Sequence, residues 1–188
     1  MGDTTIDYGA LTLGEVISRT AEQLLEKVEE VSLPCCKYLA SYYPDARVRR
    51  AYLRRIGVVF ADDSSYANIG FTVIPNSPSD VHVRVGKNVS IAPNVTCVCD
   101  SCANNGVEIN KFAYVRQRVA KRADIVIDDE AWIGAGVCIL PGVTIGRCAI
   151  VGAGCVVTGD VEPYAIYAGV PGRKVGDVRK WESGFESE

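Results

Sequence analysis

Reactive side chains cluster in one short stretch, "CVCDSC", at residues 97–102, which holds three cysteines and an aspartate. Alternation along an extended chain directs Cys97 and Cys99 the same way, and Cys102 falls in a predicted turn. A structural zinc site needs four Cys or His ligands converging on one point, and no histidine or pair of acids accompanies these thiols. We therefore predict no metal here, and expect Cys97 to act as a small buried apolar residue.

His82 is the single histidine of the chain, and imidazole is the side chain whose ordinary pKa suits a general base near neutral pH. It lies in "DVHVRV" between Val81 and Val83. If the two valines point inward, alternation predicts that His82 points outward, where it could face a groove. Two interpretations remain open, an ordinary surface histidine and a catalytic base.

The elements that must position these residues are revealed by a period of six. Between residues 132 and 159 a branched apolar residue returns at every sixth position, and the frame extends backwards to Ile91 and Val85. Neither an α-helix nor a flat strand has this period. Three six-residue strands close a triangular coil of about eighteen residues, and stacked coils bury the branched side chains in a column. The pattern predicts a mainly β chain folded as a parallel β-helix. The repeated residues are Ile127, Ile133, Ile139, Ile145, Val151 and Val157.

Residues 103–124, "ANNGVEINKFAYVRQRVAKRAD", break this frame, although the frame itself holds on both sides. We expect them to form a long loop expelled from the coil. Loops of that length usually carry a function.

The N-terminal part has helical spacing instead. Thr12 and Glu15 form a capping box, and the apolar stripe that follows predicts a helix over 12–31, which Pro34 ends. A second helix is predicted over 45–56. We interpret the five arginines of the second helix as a solvated or interface-pairing face, with a phosphate surface as the alternative.

These patterns divide the 188 residues into an N-terminal helical cap (1–57), a β-helix (58–162) and a C-terminal tail and cap (163–188). The net charge of −3 gives no argument for nucleic acid, and the apolar runs are too short to span a membrane. The first residues lack a basic and apolar leader. We therefore expect a cytoplasmic protein with reduced cysteines.

The segment "WIGAGVCILPGVTIGRCAIVGAGCVVTGDV", followed by "AGVPGRKV", resembles the left-handed β-helix (hexapeptide-repeat) acyltransferases, among them the maltose, galactoside and polysaccharide O-acetyltransferases. "VGKNVSIAPNVT" and "RRAYLRRIGVVF" extend the resemblance to about residues 45–176. The left-handed crossover is implied by the resemblance alone, because parallel strands usually connect with the opposite hand.

The resemblance implies a homotrimer whose active sites lie in grooves between neighbouring subunits, with acetyl-CoA as acyl donor. The backbone amide of Ala135 would face the thioester carbonyl, and Arg173, with Lys174 nearby, would meet the CoA phosphates. Family members often carry Lys or Arg where this chain has Gly159. The remaining residues implied to line the CoA path are Trp132, Ala153, Thr158 and Gly159.

The catalytic histidine of the family has no counterpart. Its slot falls on Cys102 or, in an alternative alignment, on Asp100. An ordinary aspartate has a pKa near 4 and an ordinary cysteine near 8.5, so neither matches imidazole as a base. Cys102, Asp100 and His82 are the candidates.

The expected function is acetyl transfer from acetyl-CoA to a hydroxyl or amine of a sugar, a sugar nucleotide or a surface polysaccharide precursor, by a slow enzyme. The alternative is a catalytically impaired trimeric scaffold that binds CoA or sugar. A carbonic anhydrase of this fold is excluded, because one histidine cannot supply its zinc ligands.

Overall fold

The computed structural model describes residues 19–74 and 81–181, except for the side chain of Trp181. The described chain begins with three short helices, continues as a β-helix with three parallel sheets, and ends in an antiparallel hairpin and one helical turn. The helices are α1 (Ala21–Glu26), α2 (Leu33–Tyr42), α3 (Ala46–Arg55) and α4 (Val178–Trp181), with a 3₁₀ turn at Val28–Glu30.

The first predicted helix is only partly observed. The proposed capping box of Thr12 and Glu15 lies outside the described residues. Within them, α1 begins after Thr20, whose hydroxyl accepts a hydrogen bond from the Gln23 amide while the Gln23 side chain accepts one from the Thr20 amide. This is a capping box eight residues later than the predicted one. The predicted extent of 12–31 is therefore wrong at its C-terminal end, since α1 stops at Glu26.

The prediction that Pro34 ends a helix is wrong. Pro34 lies in the first turn of α2. The first N–H groups of a helix have no partner within it, so proline is tolerated there. Helix α2 buries Cys36, Leu39 and Ala40 against the rest of the helical cap.

Helix α3 is confirmed. Asp45 caps it by accepting a hydrogen bond from the Arg47 amide, and Val48, Tyr52 and Ile56 are buried along one face. The interpretation of its arginines as a solvated or interface-pairing face is wrong for Arg49, which is only 1% exposed.

Arg49 donates hydrogen bonds to the carbonyls of Tyr43 and Pro44 at 2.7 Å and to that of Ala67 at 3.2 Å. Arg50 and Arg54 both pair with Asp63 at 2.8 Å. The arginines therefore join the helical cap to the first coil.

The three sheets are formed by strands of two to five residues. Sheet 1 has the order β1-β4-β9-β12, sheet 2 the order β2-β5-β10-β13-β15-β16, and sheet 3 the order β3-β6-β11-β14. Only the last pair of sheet 2 is antiparallel. The strands are β1 (Val58–Phe60), β2 (Tyr66–Ala67), β3 (Thr72–Ile74), β4 (Val83–Val85), β5 (Ser90–Ile91), β6 (Thr96–Val98), β7 (Asp100–Ser101), β8 (Lys121–Arg122), β9 (Ile125–Ile127), β10 (Trp132–Ile133), β11 (Cys138–Ile139), β12 (Thr144–Ile145), β13 (Ile150–Val151), β14 (Val156–Val157), β15 (Ala165–Ala168) and β16 (Arg173–Asp177).

The register shows the eighteen-residue coil directly. Trp132 pairs with Ile150, and Cys138 pairs with Val156. The predicted column of branched residues is buried throughout, and Cys97 and Cys155 fill inward positions with 0% exposure. The parallel coil predicted from the period of six is confirmed.

One segment leaves the coil between sheets 3 and 1. Strands β7 and β8 pair antiparallel, with Asp100 opposite Arg122, and the chain between them contains a 3₁₀ turn at Ile109–Lys111 and a π-helical turn at Val115–Val119. The coil resumes at β9, which pairs with β4. The antiparallel pair fixes the base of this loop on one corner of the prism.

Candidate active site

The base of the loop is closed by an ion pair. Arg122 donates its Nε–H to Oδ2 of Asp100 at 3.1 Å, and the Asp100 side chain is only 14% exposed. The other oxygen, Oδ1, is buried, and no described residue donates a well-aligned hydrogen bond to it. Asp100 is therefore held in one orientation by Arg122, and its buried Oδ1 lacks a hydrogen-bond donor among the described residues.

Cys102 lies beside this pair and is half-buried. Its interaction with the Asp100 carboxylate, followed by burial, raises the pKa of the Cys102 thiol, while Arg122 opposes the rise. Because the thiolate is the reactive form, Cys102 is poorly suited to act as a nucleophile or base at neutral pH in this environment.

The prediction that His82 points outward is wrong. The residue is only 1% exposed. Its backbone N–H donates to the Gly57 carbonyl at 2.8 Å, and its carbonyl accepts from the Ile125 amide at 2.9 Å and from Sγ of Cys99 at 3.3 Å. Strand β4 begins only at Val83, so the alternation of the strand does not extend back through the corner to His82. The histidine is a packed residue of the first coils, not part of a groove.

A second group of predicted residues lies at the corner between sheets 2 and 3. Ala135 and Ala153 are exposed there on successive coils, and the Gly154 amide donates to the Ala135 carbonyl at 2.8 Å. A Cβ added at Gly134 would lie 2.6 Å from the Ala153 nitrogen, so this corner requires glycine. No described residue accepts a hydrogen bond from the Ala135 N–H. Trp132, three residues before Ala135 on sheet 2, is 56% exposed.

Thr158 and Gly159 are exposed directly after β14, at the corner where the strands of sheet 3 end. The loop leaves from the same corner after β6, and β11 lies between β6 and β14 in the sheet. Since neighbouring strands are about 4.8 Å apart, the loop base and Thr158 are separated by about 10 Å along the prism axis.

Arg173 and Lys174 begin β16 and are exposed. The Lys174 ammonium is paired with the Glu162 carboxylate, and this contact raises the pKa of Lys174. The Arg173 guanidinium donates to the Gly172 carbonyl at 2.9 Å, which uses one of its N–H groups. Of the two predicted phosphate ligands, Arg173 is the more available.

The expelled loop encloses an open cavity of about 580 Å³. Sequence reasoning missed the two arginines that line it, Arg116 and Arg122. Two features of the sequence could have indicated these arginines. One is the run of basic residues in the loop, and the other is that Asp100 and Arg122, which have opposite charges, lie at its two ends. The polar residues of the lining are Cys102, Asn104, Asn110, Arg116 and Arg122.

Within residues 19–74 and 81–181, no cluster of three or more His, Cys, Asp or Glu side chains is arranged to hold a metal ion. No helix of the described chain has the length and apolar character needed to cross a membrane.

Comparison with known proteins agrees with this architecture. Residues 124–159 match the family described as bacterial transferase hexapeptide (six repeats). The galactoside O-acetyltransferase of Escherichia coli (strain K12) is 38% identical over 114 residues, which cover 60% of this chain and 51% of the relative. That of Lactococcus lactis is 33% identical over 121 residues, with the same shares. The chain spans about half the length of these curated relatives.

Among solved structures, a galactoside acetyltransferase in complex with coenzyme A superposes with a TM-score of 0.57 at 25% identity, covering 95% of this chain and 97% of that one. A hexapeptide-repeat acetyltransferase from Vibrio cholerae complexed with acetyl coenzyme A has a TM-score of 0.59 at 23% identity, covering 86% and 90%. The second likeness concerns the fold alone.

Stacked six-residue repeats in three parallel sheets, with a loop expelled at one corner, define a hexapeptide-repeat protein with the left-handed parallel β-helix fold. Within this fold, residues 124–159 match the bacterial transferase hexapeptide family, and the chain is similar in fold to a galactoside acetyltransferase.

Proposed function

We propose that the protein transfers an acetyl group from acetyl-CoA to a hydroxyl, or an amine, of a sugar, a sugar nucleotide or a surface polysaccharide precursor. The observation that carries the proposal is the position of the loop base on the same corner of the prism as Thr158, two coils away. The relatives named galactoside O-acetyltransferase and the neighbour that holds coenzyme A support the donor and the acceptor class.

In the proposed homotrimer, the thioester lies along the corner formed by Ala135 and Ala153 of one subunit, where the Ala135 N–H is directed at the carbonyl oxygen, and the expelled loop of the neighbouring subunit brings Asp100 toward it. A backbone amide placed there stabilises the negative charge that develops on that oxygen during attack. Thr158, Gly159 and Trp132 line the path of the CoA arm. Arg173 binds the CoA phosphates, and Lys174 contributes less because it is paired with Glu162.

The transfer requires that the acceptor oxygen bond to the thioester carbon as the bond from carbon to sulfur breaks. The proton of the hydroxyl passes to a base, and the departing CoA thiolate takes up a proton. Of the three candidates we assign this base to Asp100, because Cys102 is held as a thiol and His82 is buried. Because Oδ1 is buried, Oδ2, the oxygen that Arg122 orients, is the atom that would receive the proton.

Aspartate is a weak base beside imidazole. A general base whose pKa is well matched to the operating pH accelerates a reaction by about 10²–10⁴-fold. Asp100 would supply only part of that acceleration. The remaining acceleration comes from positioning and from the Ala135 amide. We therefore propose a slow enzyme.

A homotrimer with shared grooves is part of the proposal. It is supported by large apolar side chains that the loop leaves exposed in the single chain, where Val107 is 76% exposed, Tyr114 71% and Phe112 63%. Light scattering at micromolar concentration is expected to give the mass of three chains, and a monomer would contradict shared sites. A cytoplasmic location is also proposed, and the eight free cysteines support it.

The function is tested by following CoA thiol release from acetyl-CoA across a panel of sugars and sugar nucleotides, with calorimetry of CoA binding in parallel. We expect CoA binding, slow acceptor-dependent turnover, and loss of turnover without loss of binding in Asp100→Asn. Absence of CoA binding at millimolar concentration would contradict the proposal.

The second candidate is the non-catalytic scaffold. It is favoured by the Asp100–Arg122 ion pair, because this pair occupies Oδ2 of the one acid among the three candidates. It predicts CoA binding with no acceptor-dependent thiol release from any member of the panel.

A further inference from the structure

The cavity inside the expelled loop has a distinctive charge. Two arginines, Arg116 and Arg122, line it, and none of its lining residues is acidic. Asn104 and Asn110 add neutral polar groups to the wall. The cavity borders Cys102 and therefore adjoins the loop base where we place the acetyl acceptor.

The loop as a whole is basic, whereas the chain is acidic. Residues 103–124 carry five basic and two acidic side chains, and the net charge of the chain is −3. One of those acids, Glu108, forms its ion pair with Lys111 at 2.6 Å, so it does not neutralise the two cavity arginines. Among the described residues, the acid that pairs with one of them is Asp100, which contacts Arg122.

Most of the donors on these two arginines are not used up by these contacts. Arg116 donates to the carbonyl of Asn110, and Arg122 donates its Nε–H to Asp100. A guanidinium carries five N–H donors in a planar fork, a geometry that matches the oxygens of a phosphate or carboxylate. The Asn110 amide donates at 2.6 Å to the carbonyls of Ala103 and Gly106, which holds the loop in the shape that encloses the cavity.

We infer that the acetyl acceptor is anionic: a sugar bearing a phosphate or a carboxylate, whose negative group binds between Arg116 and Arg122 while a hydroxyl reaches Asp100. This inference rests on the proposed acetyl transfer but concerns the acceptor alone. Phosphate and carboxylate share the chemistry that the arginines recognise, and the test below separates them.

The test measures acceptor binding directly, so that it does not depend on turnover. Galactose 1-phosphate, galacturonate and galactose are titrated by calorimetry into the full-length protein saturated with CoA. We expect at least one anionic sugar to bind about ten-fold or more tightly than galactose, since charge-assisted hydrogen bonds are the strong ones. The tighter of the two anionic sugars identifies the group, and its advantage is expected to shrink in high salt.

Arg116→Gln is expected to remove most of that advantage. Arg118→Gln is the matched control, because Arg118 lies on the same π-helical turn but does not line the cavity. Both variants are expected to keep their affinity for CoA. Circular dichroism and light scattering verify that each variant folds and assembles as the parent does.

Equal binding of galactose and both anionic sugars would overturn the inference while leaving acetyl transfer to a neutral acceptor intact. A loss of CoA affinity in Arg116→Gln would also overturn it, because the cavity would then hold the donor's phosphates. If CoA itself fails to bind the parent protein, the proposed function fails instead. Anion selectivity without turnover would overturn the inference that the anionic sugar is an acetyl acceptor and would favour the scaffold candidate.

Discussion

The Nε–H of Arg122 lies 3.1 Å from Oδ2 of Asp100, across an antiparallel strand pair that joins the two ends of the expelled loop. The pair fixes the orientation of the candidate base, closes the loop and sets the environment of Cys102. Three properties of the loop base therefore depend on one contact.

Asp100→Asn is expected to lower the pKa of the Cys102 thiol, because the Asp100 carboxylate is the main cause of its rise and Arg122, which opposes the rise, remains. The pH profile of thiol alkylation should shift to lower pH, with faster alkylation at pH 7. Alkylation followed by peptide mass spectrometry separates Cys102 from the other thiols.

Asp63→Asn is the control for this experiment, since Asp63 pairs with Arg50 and Arg54 in the helical cap. It should leave the Cys102 profile unchanged. An unshifted profile in Asp100→Asn would show that the carboxylate does not control the thiol.

Arg49→Ala is expected to destabilise the chain by about 3–5 kcal/mol, because it removes a buried cation and leaves the carbonyls of Tyr43, Pro44 and Ala67 without their donor. The measurement is the free energy of unfolding in urea. Arg47→Ala on the same helix is the control, since its ion pairs are solvent-exposed and such pairs contribute about 0–1 kcal/mol. Similar losses in the two variants would contradict the assigned role of Arg49.

Gly159→Lys is expected to increase the affinity for CoA by about two- to ten-fold at low salt, as one added exposed charge opposite a phosphate would give. A Cβ at Gly159 meets nothing within 4 Å, so the substitution fits the coil. The gain should disappear at 1 M salt, where charges are screened over a few ångströms. Gly159→Gln controls for side-chain size, and an equal gain in that variant would show that charge is not the cause.

The interior of the coil could be predicted from the sequence because each buried position is specified by its own residue type at a fixed spacing. The burial of Ile133, Ile139 and Ile145 could be predicted without knowledge of distant contacts. The error at Pro34 has a different origin, since proline both ends helices and begins them, and only the packing of the residues that follow decides which occurs.

The candidate site could be predicted less completely. Asp100 and Cys102 were found through a resemblance, but the partner of Asp100 lies 22 residues along the chain and is brought to it by the loop. The burial of His82 depends on where β4 begins, and the pairing of Lys174 with Glu162 depends on the C-terminal hairpin. These contacts arise from tertiary structure, which local patterns do not encode.

The C-terminal hairpin provides a pH-dependent contribution to stability. Arg179 donates to both oxygens of Asp177, at 2.9 and 2.7 Å, and chiefly these hydrogen bonds lower the pKa of Asp177 to about 2. An unfolded aspartate has a pKa of about 3.9, so folding favours the ionised form. The contribution is therefore present in full above about pH 4 and is lost as the pH falls through about 2.

Asp177→Asn is accordingly expected to lower the melting temperature at pH 7, and the difference from the parent should shrink steadily between pH 4 and pH 2. Arg179→Gln removes the other partner and should show the same convergence, because the unpaired carboxyl regains its ordinary pKa. Thermal unfolding followed by circular dichroism from pH 7 to pH 2.5 provides the measurement. A difference that stays constant down to pH 2.5 would show that the hydrogen bonds of Asp177, and not its charge, account for the effect.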